Sequence, residues 1–231
     1  MLSTRDTRVE PPHHPLGLQL PEKIYFPAYD KSLPADQIGA VFDKWVGNFY
    51  LPYTNLPSDV DIIASRPAMH DLEGTEPRFF PTVSQLTPQE LDGWVDGTVM
   101  ERSARCIHTA DLKVWRDNAE RALFDCPPDG ALRHVDVLAL WGNMTVPVCI
   151  FAMSELCKRF QQNGHDGKIV RKSTVVKLDG CNHFVSVCTL HLWNLLDYLS
   201  HNSYRCTGTS PTGSYKPSQT TCSMLSGAPS E

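Results

Sequence analysis

Apolar residues along this 231-residue chain change their spacing several times, and each change predicts a different element. Residues 1–31 carry prolines at 11, 12, 15, 21 and 27, together with Gly17 and the adjacent His13 and His14. Proline lacks the amide proton that helices and central strands require, so this stretch reads as an extended, proline-rich linker and His13-His14 as a solvated pair. From Ser32, with Pro34 placed in a first helical turn, Ile38, Val41, Phe42, Trp45, Val46 and Phe49 recur at three- and four-residue steps. That spacing predicts an amphipathic helix of about four turns. Residues 51–86 return to proline, with Arg66-Pro67, Glu76-Pro77 and Phe80-Pro81 resisting regular structure. Thr87-Pro88-Gln89-Glu90 has the capping-box spacing ahead of Leu91, Trp94 and Val95, which predicts a short helix. Leu112, Trp115, Ala119, Ala122 and Leu123 predict another from about Ala110 to Phe124, stopped at Cys126-Pro127-Pro128-Asp129-Gly130.

The second half follows a different rhythm. Val135 to Trp141 is an apolar run with β-branched residues ended by Gly142-Asn143, as in a strand buried on both faces. Ala152, Met153, Leu156, Cys157 and Phe160 predict a helix, Ser173 to Leu178 a second strand, and Leu190 to Leu199 a closing helix. Strand, helix, strand, helix is a parallel βαβα unit, so the fold class is α/β. From His201 the chain is Ser/Thr-rich without periodicity and predicts a disordered tail. Four segments result: 1–31 extended, 32–130 helical, 131–200 βαβα and 201–231 tail.

Charge and cysteine content narrow the function. Lys plus Arg number 21 against 26 Asp plus Glu, a net charge of −5, which disfavours nucleic acid and anionic membrane surfaces as partners. No apolar run approaches the about 18–20 residues of a membrane helix, and the first ten residues lack the apolar stretch of a signal peptide. A soluble, cytoplasmic protein is the expectation. The eight cysteines form no C-x-x-C pair, so they read as buried hydrophobes or free thiols. Cys106-Ile107-His108 and Cys181-Asn182-His183 share a C-x-H spacing that falls outside the usual structural zinc pairs, and no metal or other cofactor is expected. Asn143-Met144-Thr145 has the form of a glycosylation sequon.

The segment richest in chemistry is Val175 to Phe184, where a strand passes through Asp179-Gly180-Cys181-Asn182 to His183. Parallel sheets place their working residues at the carboxyl ends of strands. Together with Leu140-Trp141-Gly142, this segment resembles the last strands of an alpha/beta-hydrolase. Leu16-Gly17, Pro21-Glu22, Asp30, Ser32-Leu33, Phe42, Lys44-Trp45-Val46, Thr87 to Asp92 and Arg121 to Asp125 resemble the helical cap of fungal alpha/beta-hydrolase-fold proteins. The resemblance covers roughly residues 15–184 and implies a partial alpha/beta-hydrolase fold: a helical cap followed by the two-strand βαβα part of the core.

By that resemblance His183 is the general base of a serine hydrolase acting on small-molecule esters or amides. Trp45, Trp94 and Trp115, apolar helix positions that read first as core, would line the roof of the substrate pocket. The sequence also departs from the family. It contains no G-x-S-x-G elbow, and the loop Trp141 to Val148 contains no carboxylate, leaving Asn143 as a weak substitute at the acid position. A truncated, inactive family member is therefore expected, with an uncovered apolar face at Val135 to Trp141 and a sheet edge open to a protein partner. The alternative is a non-catalytic helical interaction module in which His183 is structural. Beyond Phe184 the run Val185-Ser186-Val187-Cys188-Thr189 leaves the family pattern, and Val-Ser can be encoded by a splice-donor sequence, which fits a retained intron or an inaccurate gene model.

Overall fold

The computed structural model describes residues 5–94, 107, 109–125, 135–165 and 171–184; the predicted closing helix Leu190 to Leu199, the tail and the run beyond Val185 lie outside the described residues. Three parallel strands form one sheet in the order β1 (Arg5–Val9), β2 (Asp136–Gly142), β3 (Ser173–Leu178). Arg5 lies opposite Asp136 and Val9 opposite Leu140, while Val137 lies opposite Ser173 and Gly142 opposite Leu178. The parallel pairing of β2 with β3 is as the apolar runs predict. β1 corrects the linker reading of residues 1–31: Arg-Asp-Thr-Arg-Val has no apolar run, and it becomes a strand through pairing with β2, a tertiary effect that outweighs composition.

Helices α1 (Ile38–Val46), α2 (Val60–Ala64), α3 (Pro88–Trp94) and α4 (Leu112–Leu123) occupy the long connection from β1 to β2, and α5 (Pro147–His165) connects β2 to β3. α1 is nine residues long, shorter than the four turns its spacing predicts, because Pro34 to Gln37 close a separate turn before it. α3 starts with the predicted capping box: the Thr87 amide and hydroxyl donate to Glu90 Oε2, each at 2.8 Å. α4 is capped by Asp111, whose carboxylate accepts from the Lys113 amide at 2.8 Å.

Successive residues of β2 face opposite sides of the sheet. Val137, Ala139 and Trp141 join the main core with Val148, Ile150, Met153 and Leu156 of α5 and with Leu16, Ile24 and Phe26 of the first segment. Leu138 and Leu140 pack with Val176, Leu178 and Cys181 on the other side. All five β2 residues from Val137 to Trp141 are at most 4 % exposed, so the expected uncovered face is not found. His13 and His14 are likewise buried, at 1 % and 6 %, in an aromatic cluster with Phe26 and Tyr29, which corrects the solvated reading.

α4 docks against the first segment at Gly17, whose carbonyl accepts from the Arg116 guanidinium at 3.2 Å. Gly17 has φ +63°, and a side chain there would run into the Arg116 backbone. Buried Arg171 bonds the carbonyls of Val135 and Ala122 at 2.7 and 2.8 Å, tying the start of β2 to the end of α4.

Candidate functional site

All three strands point their carboxyl ends the same way, and the residues that leave those ends converge. β1 delivers Glu10, β2 delivers Gly142 to Thr145, and β3 delivers Asp179 to His183. Glu10 is 2 % exposed and has φ +44°, a left-handed backbone that a residue with a Cβ adopts at a cost. Its amide continues the ladder to Leu140, and its carboxylate reaches the ends of β2 and β3.

That carboxylate accepts three hydrogen bonds. Oε1 accepts from the Gly142 amide, and Oε2 accepts from the Thr145 hydroxyl at 2.6 Å and from His183 Nδ1 at 3.0 Å. A Cβ at Gly142 would collide with Oε1 and with the Cys181 carbonyl, so the close approach requires glycine. Cys149, in the first turn of α5, places its thiol 3.6 Å from both the Glu10 carbonyl and His183 Nδ1. With the Nδ1 proton given to Glu10, the thiol proton is directed to the Glu10 carbonyl. In the neutral imidazole whose Nδ1 proton goes to Glu10, Nε2 carries the lone pair, and Nε2 makes no hydrogen bond among the described residues. The His183 side chain is 29 % exposed, against 1 % for Glu10, so the ring joins a buried acid to the surface.

Electrostatics follow from that burial. Desolvation opposes an imidazolium at His183, yet Cys149 and Glu10 more than offset it and hold the group above its ordinary range. Burial is also the main influence on Cys149, and it pushes the thiol up and keeps it protonated near neutrality. Because a protonated thiol carries no charge, Glu10 is the partner that stabilises a proton on His183. Behind the site, buried Arg66 donates to the Thr145 carbonyl at 2.7 Å and lies over the rings of Tyr53 and Tyr50 at 4.3 and 5.2 Å. Desolvation lowers its guanidinium to about 10.

No family model, curated protein or solved structure matches this chain. The site therefore rests on its own geometry.

Of the residues singled out from sequence, His183 stands at the centre of the site, at the carboxyl end of β3. Asn143 does not take the acid position. Its amide donates to Asp179 Oδ1 at 2.9 Å and its carbonyl accepts from the Gly180 amide at 2.9 Å, so it fastens the β3 turn in place. A carboxylate does stand beside the imidazole, that of Glu10, 173 residues before the histidine. The loop after β2 holds no carboxylate, and the polar β1 carries no sequence sign that it ends beside that loop. Val9-Glu10-Pro11 was the available signal, a carboxylate after a β-branched residue and before a proline that ends pairing.

Trp45 packs edge-on against Phe26 and tilted against Phe42 in the core, and makes no ring contact with His183 among the described residues. Trp115 is half-buried on α4, with an indole nitrogen that has no hydrogen-bond partner among the described residues, and the Trp94 side chain lies outside them. Phe184 meets the His183 ring edge-on at 6.0 Å. Of the two C-x-H pairs, Cys106 and His108 lie outside the described residues, and the Cys181 thiol is 3.6 Å from the Asp179 carbonyl. Among the described residues no helix is long and apolar enough to cross a membrane.

Proposed function

We propose that Glu10 and His183 are the acid and base of a serine-hydrolase-type acyl-transfer site, in keeping with the sequence resemblance to alpha/beta-hydrolases. The observation that carries this reading is the 3.0 Å contact from His183 Nδ1 to the buried Glu10 carboxylate, with Nε2 left for a nucleophile's proton. Glu10 fixes the ring's tautomer and stabilises the imidazolium formed when His183 takes that proton; His183 then returns it to the leaving group. Gly142 and Thr145 orient Glu10 and do not touch substrate. The substrate class is a small ester or amide, and the helical connection between β1 and β2 would form the cap over it.

The sequence holds no G-x-S-x-G elbow, and no serine hydroxyl hydrogen-bonds His183 among the described residues. Acid and base alone lack the nucleophile and oxyanion donors that supply most of the rate. The chain is therefore expected to show no turnover of activated acyl esters and no labelling by a fluorophosphonate. Fusing a strand and G-x-S-x-G helix from an alpha/beta-hydrolase esterase ahead of Arg5 should restore weak hydrolysis. In that fusion His183→Ala should cost about 10²–10⁴-fold, and Glu10→Gln up to about 10⁴-fold. Turnover in the fusion that ignores both substitutions would leave the interaction-module reading in its place.

A further inference from the structure

We propose that Glu10, Cys149 and His183 also form a site for a divalent cation of the zinc class, held through Oε2, Sγ and Nδ1. The inference rests on the donor set and its geometry, and stands whether or not the acyl-transfer reading does.

Carboxylate, thiolate and imidazole are the three ligand types zinc takes from proteins. The three donor atoms lie within 4.8 Å of one another, with Sγ to Nδ1 at 3.6 Å and Nδ1 to Oε2 at 3.0 Å. A tetrahedral ion with bonds of roughly 2.3 Å to sulfur and 2.0 Å to nitrogen or oxygen needs ligand-to-ligand edges of roughly 3.3–3.6 Å. The 3.6 Å edge already matches, and the 3.0 Å edge would have to open by a few tenths of an ångström.

Charge favours the same occupant. A dication with one thiolate, one carboxylate and a neutral imidazole sums to zero, the arrangement a buried site tolerates best. Binding releases the Cys149 thiol proton to solvent, and the proton on His183 Nδ1 leaves that nitrogen, so that the ring binds as a neutral imidazole with its one proton on Nε2. Thr145 and the Gly142 amide already orient the carboxylate, as outer partners of metal ligands do. The fourth position would be left to water or a small ligand.

The thiol is the group the acid–base pair does not need. Cys149 is 1 % exposed in the main core, and alanine there keeps the Cβ but cannot ligate. The ion would take the Nδ1 and carboxylate oxygen that hydrogen-bond each other without it, so the metal-bound and acid–base forms exclude one another. No local ligand motif marks the set in the sequence, since its members are 139 and 34 residues apart and only the parallel sheet unites them.

The test uses the purified full chain, freed of metal with a chelator and titrated with Co²⁺ and then Zn²⁺. Stoichiometric Co²⁺ should produce a near-ultraviolet thiolate-to-cobalt charge-transfer band that Zn²⁺ displaces. Zinc at 100 times its Kd should raise Tm by roughly 5–10 °C. Cys149→Ala should abolish the band and weaken zinc binding by about 100-fold or more, Thr145→Val should weaken it about 10–100-fold, and Cys157→Ala should change neither. Circular dichroism checks that each variant folds, and Cys149→Ser serves should the alanine variant not. No band in the wild type, or a band that survives loss of the Cys149 thiol, would overturn the proposal.

Discussion

Six of the seven residues of β2 are buried and the strand is paired on both sides, whereas α2 buries only Ile63 and the turns Met69–Asp71 and Pro77–Phe79 bury nothing. The stretch from Asn48 to Gln85 adds Tyr50, Ile63 and Ala68 to the main core, but most of its residues are half-buried or exposed, and directed bonds tie it to the loops that carry the site. Tyr50 and Tyr53 amides donate to Met144 and Asn143, Arg66 reaches Thr145, and the Asn182 amide bridges Gly47 and Thr82. One region is stabilised by apolar burial and a backbone ladder. The other is fastened at a few points, and those points lie beside Glu10 and His183. Perturbing the first should act on global stability, and perturbing the second on the geometry of the site.

The largest expected effect lies in the sheet. Trp141 is 2 % exposed in the main core, and Trp141→Ala should cost about 3–5 kcal/mol in chemical denaturation, from lost burial and the cavity left behind. Phe80, 41 % exposed in the proline-rich stretch, should lose no more than about 0.5 kcal/mol as Phe80→Ala. Equal losses at the two positions would erase the distinction between the regions.

Asn182 couples them. It is fully buried, its amide donates to the Gly47 carbonyl and the Thr82 hydroxyl at 2.8 Å each, and its carbonyl accepts from the Phe184 amide at 3.0 Å. Asn182→Ala strands buried polar groups, at about 2–3 kcal/mol. The expected sign in hydrogen exchange is asymmetric: amides at Tyr50, Tyr53 and Thr82 should exchange faster while those of β2 keep most of their protection. Uniform acceleration would mean that both regions open together.

How much of this was legible depends on which force shapes each element. β2, β3 and α5 announce themselves because burial on both sides selects long apolar runs, and α3 because its cap is a local four-residue motif. β1 was invisible: Arg5 to Val9 has the composition of a loop, and its strand form comes from a partner more than 120 residues away. Glu10 was hidden with it, so the site was read as a lone histidine. His13 and His14 misled for the opposite reason, since polar type suggested solvent while Phe26 and Tyr29 enclose them. Local patterns report local forces, and this site is assembled by a non-local sheet.

A smaller effect, visible only in alkali, tests the fastening of the proline-rich stretch. Burial raises the Tyr50 phenol from 10.0 to about 12, with Asn48 and then Arg66 opposing the shift and Asp71 and Tyr25 adding to it. The folded state therefore keeps a proton that the unfolded chain loses above pH 10. Stability from this group is complete below that pH and falls as pH rises from 10 to 12. At pH 11 the loss is about 1.4 kcal/mol. Tyr50→Phe should flatten this part of the stability profile by that amount while leaving the ring over which Arg66 sits. An unchanged alkaline limb would place Tyr50 in water and detach Arg66 from its platform.

The smallest effect should be confined to α3. The Thr87 hydroxyl donates to Glu90 Oε2 and accepts from the Glu90 amide at 3.3 Å, while Glu90 also holds the Thr87 amide. All of these bonds are exposed, so water replaces them when they are removed and the cost stays near that of a lost helix cap, about 1 kcal/mol. The carboxylate is held below its ordinary range by the Thr87 amide and hydroxyl. Thr87→Ala should raise it toward that range, a shift readable by carbonyl-carbon NMR titration, and Thr87→Ser should restore it. Because the described side chains of α3 are exposed or half-buried, the global stability should stay within about 0.5 kcal/mol of the wild type. A larger global loss from so exposed a cap would mean that α3 is part of the cooperative unit built around β2, and that the two regions are less separate than their burial suggests.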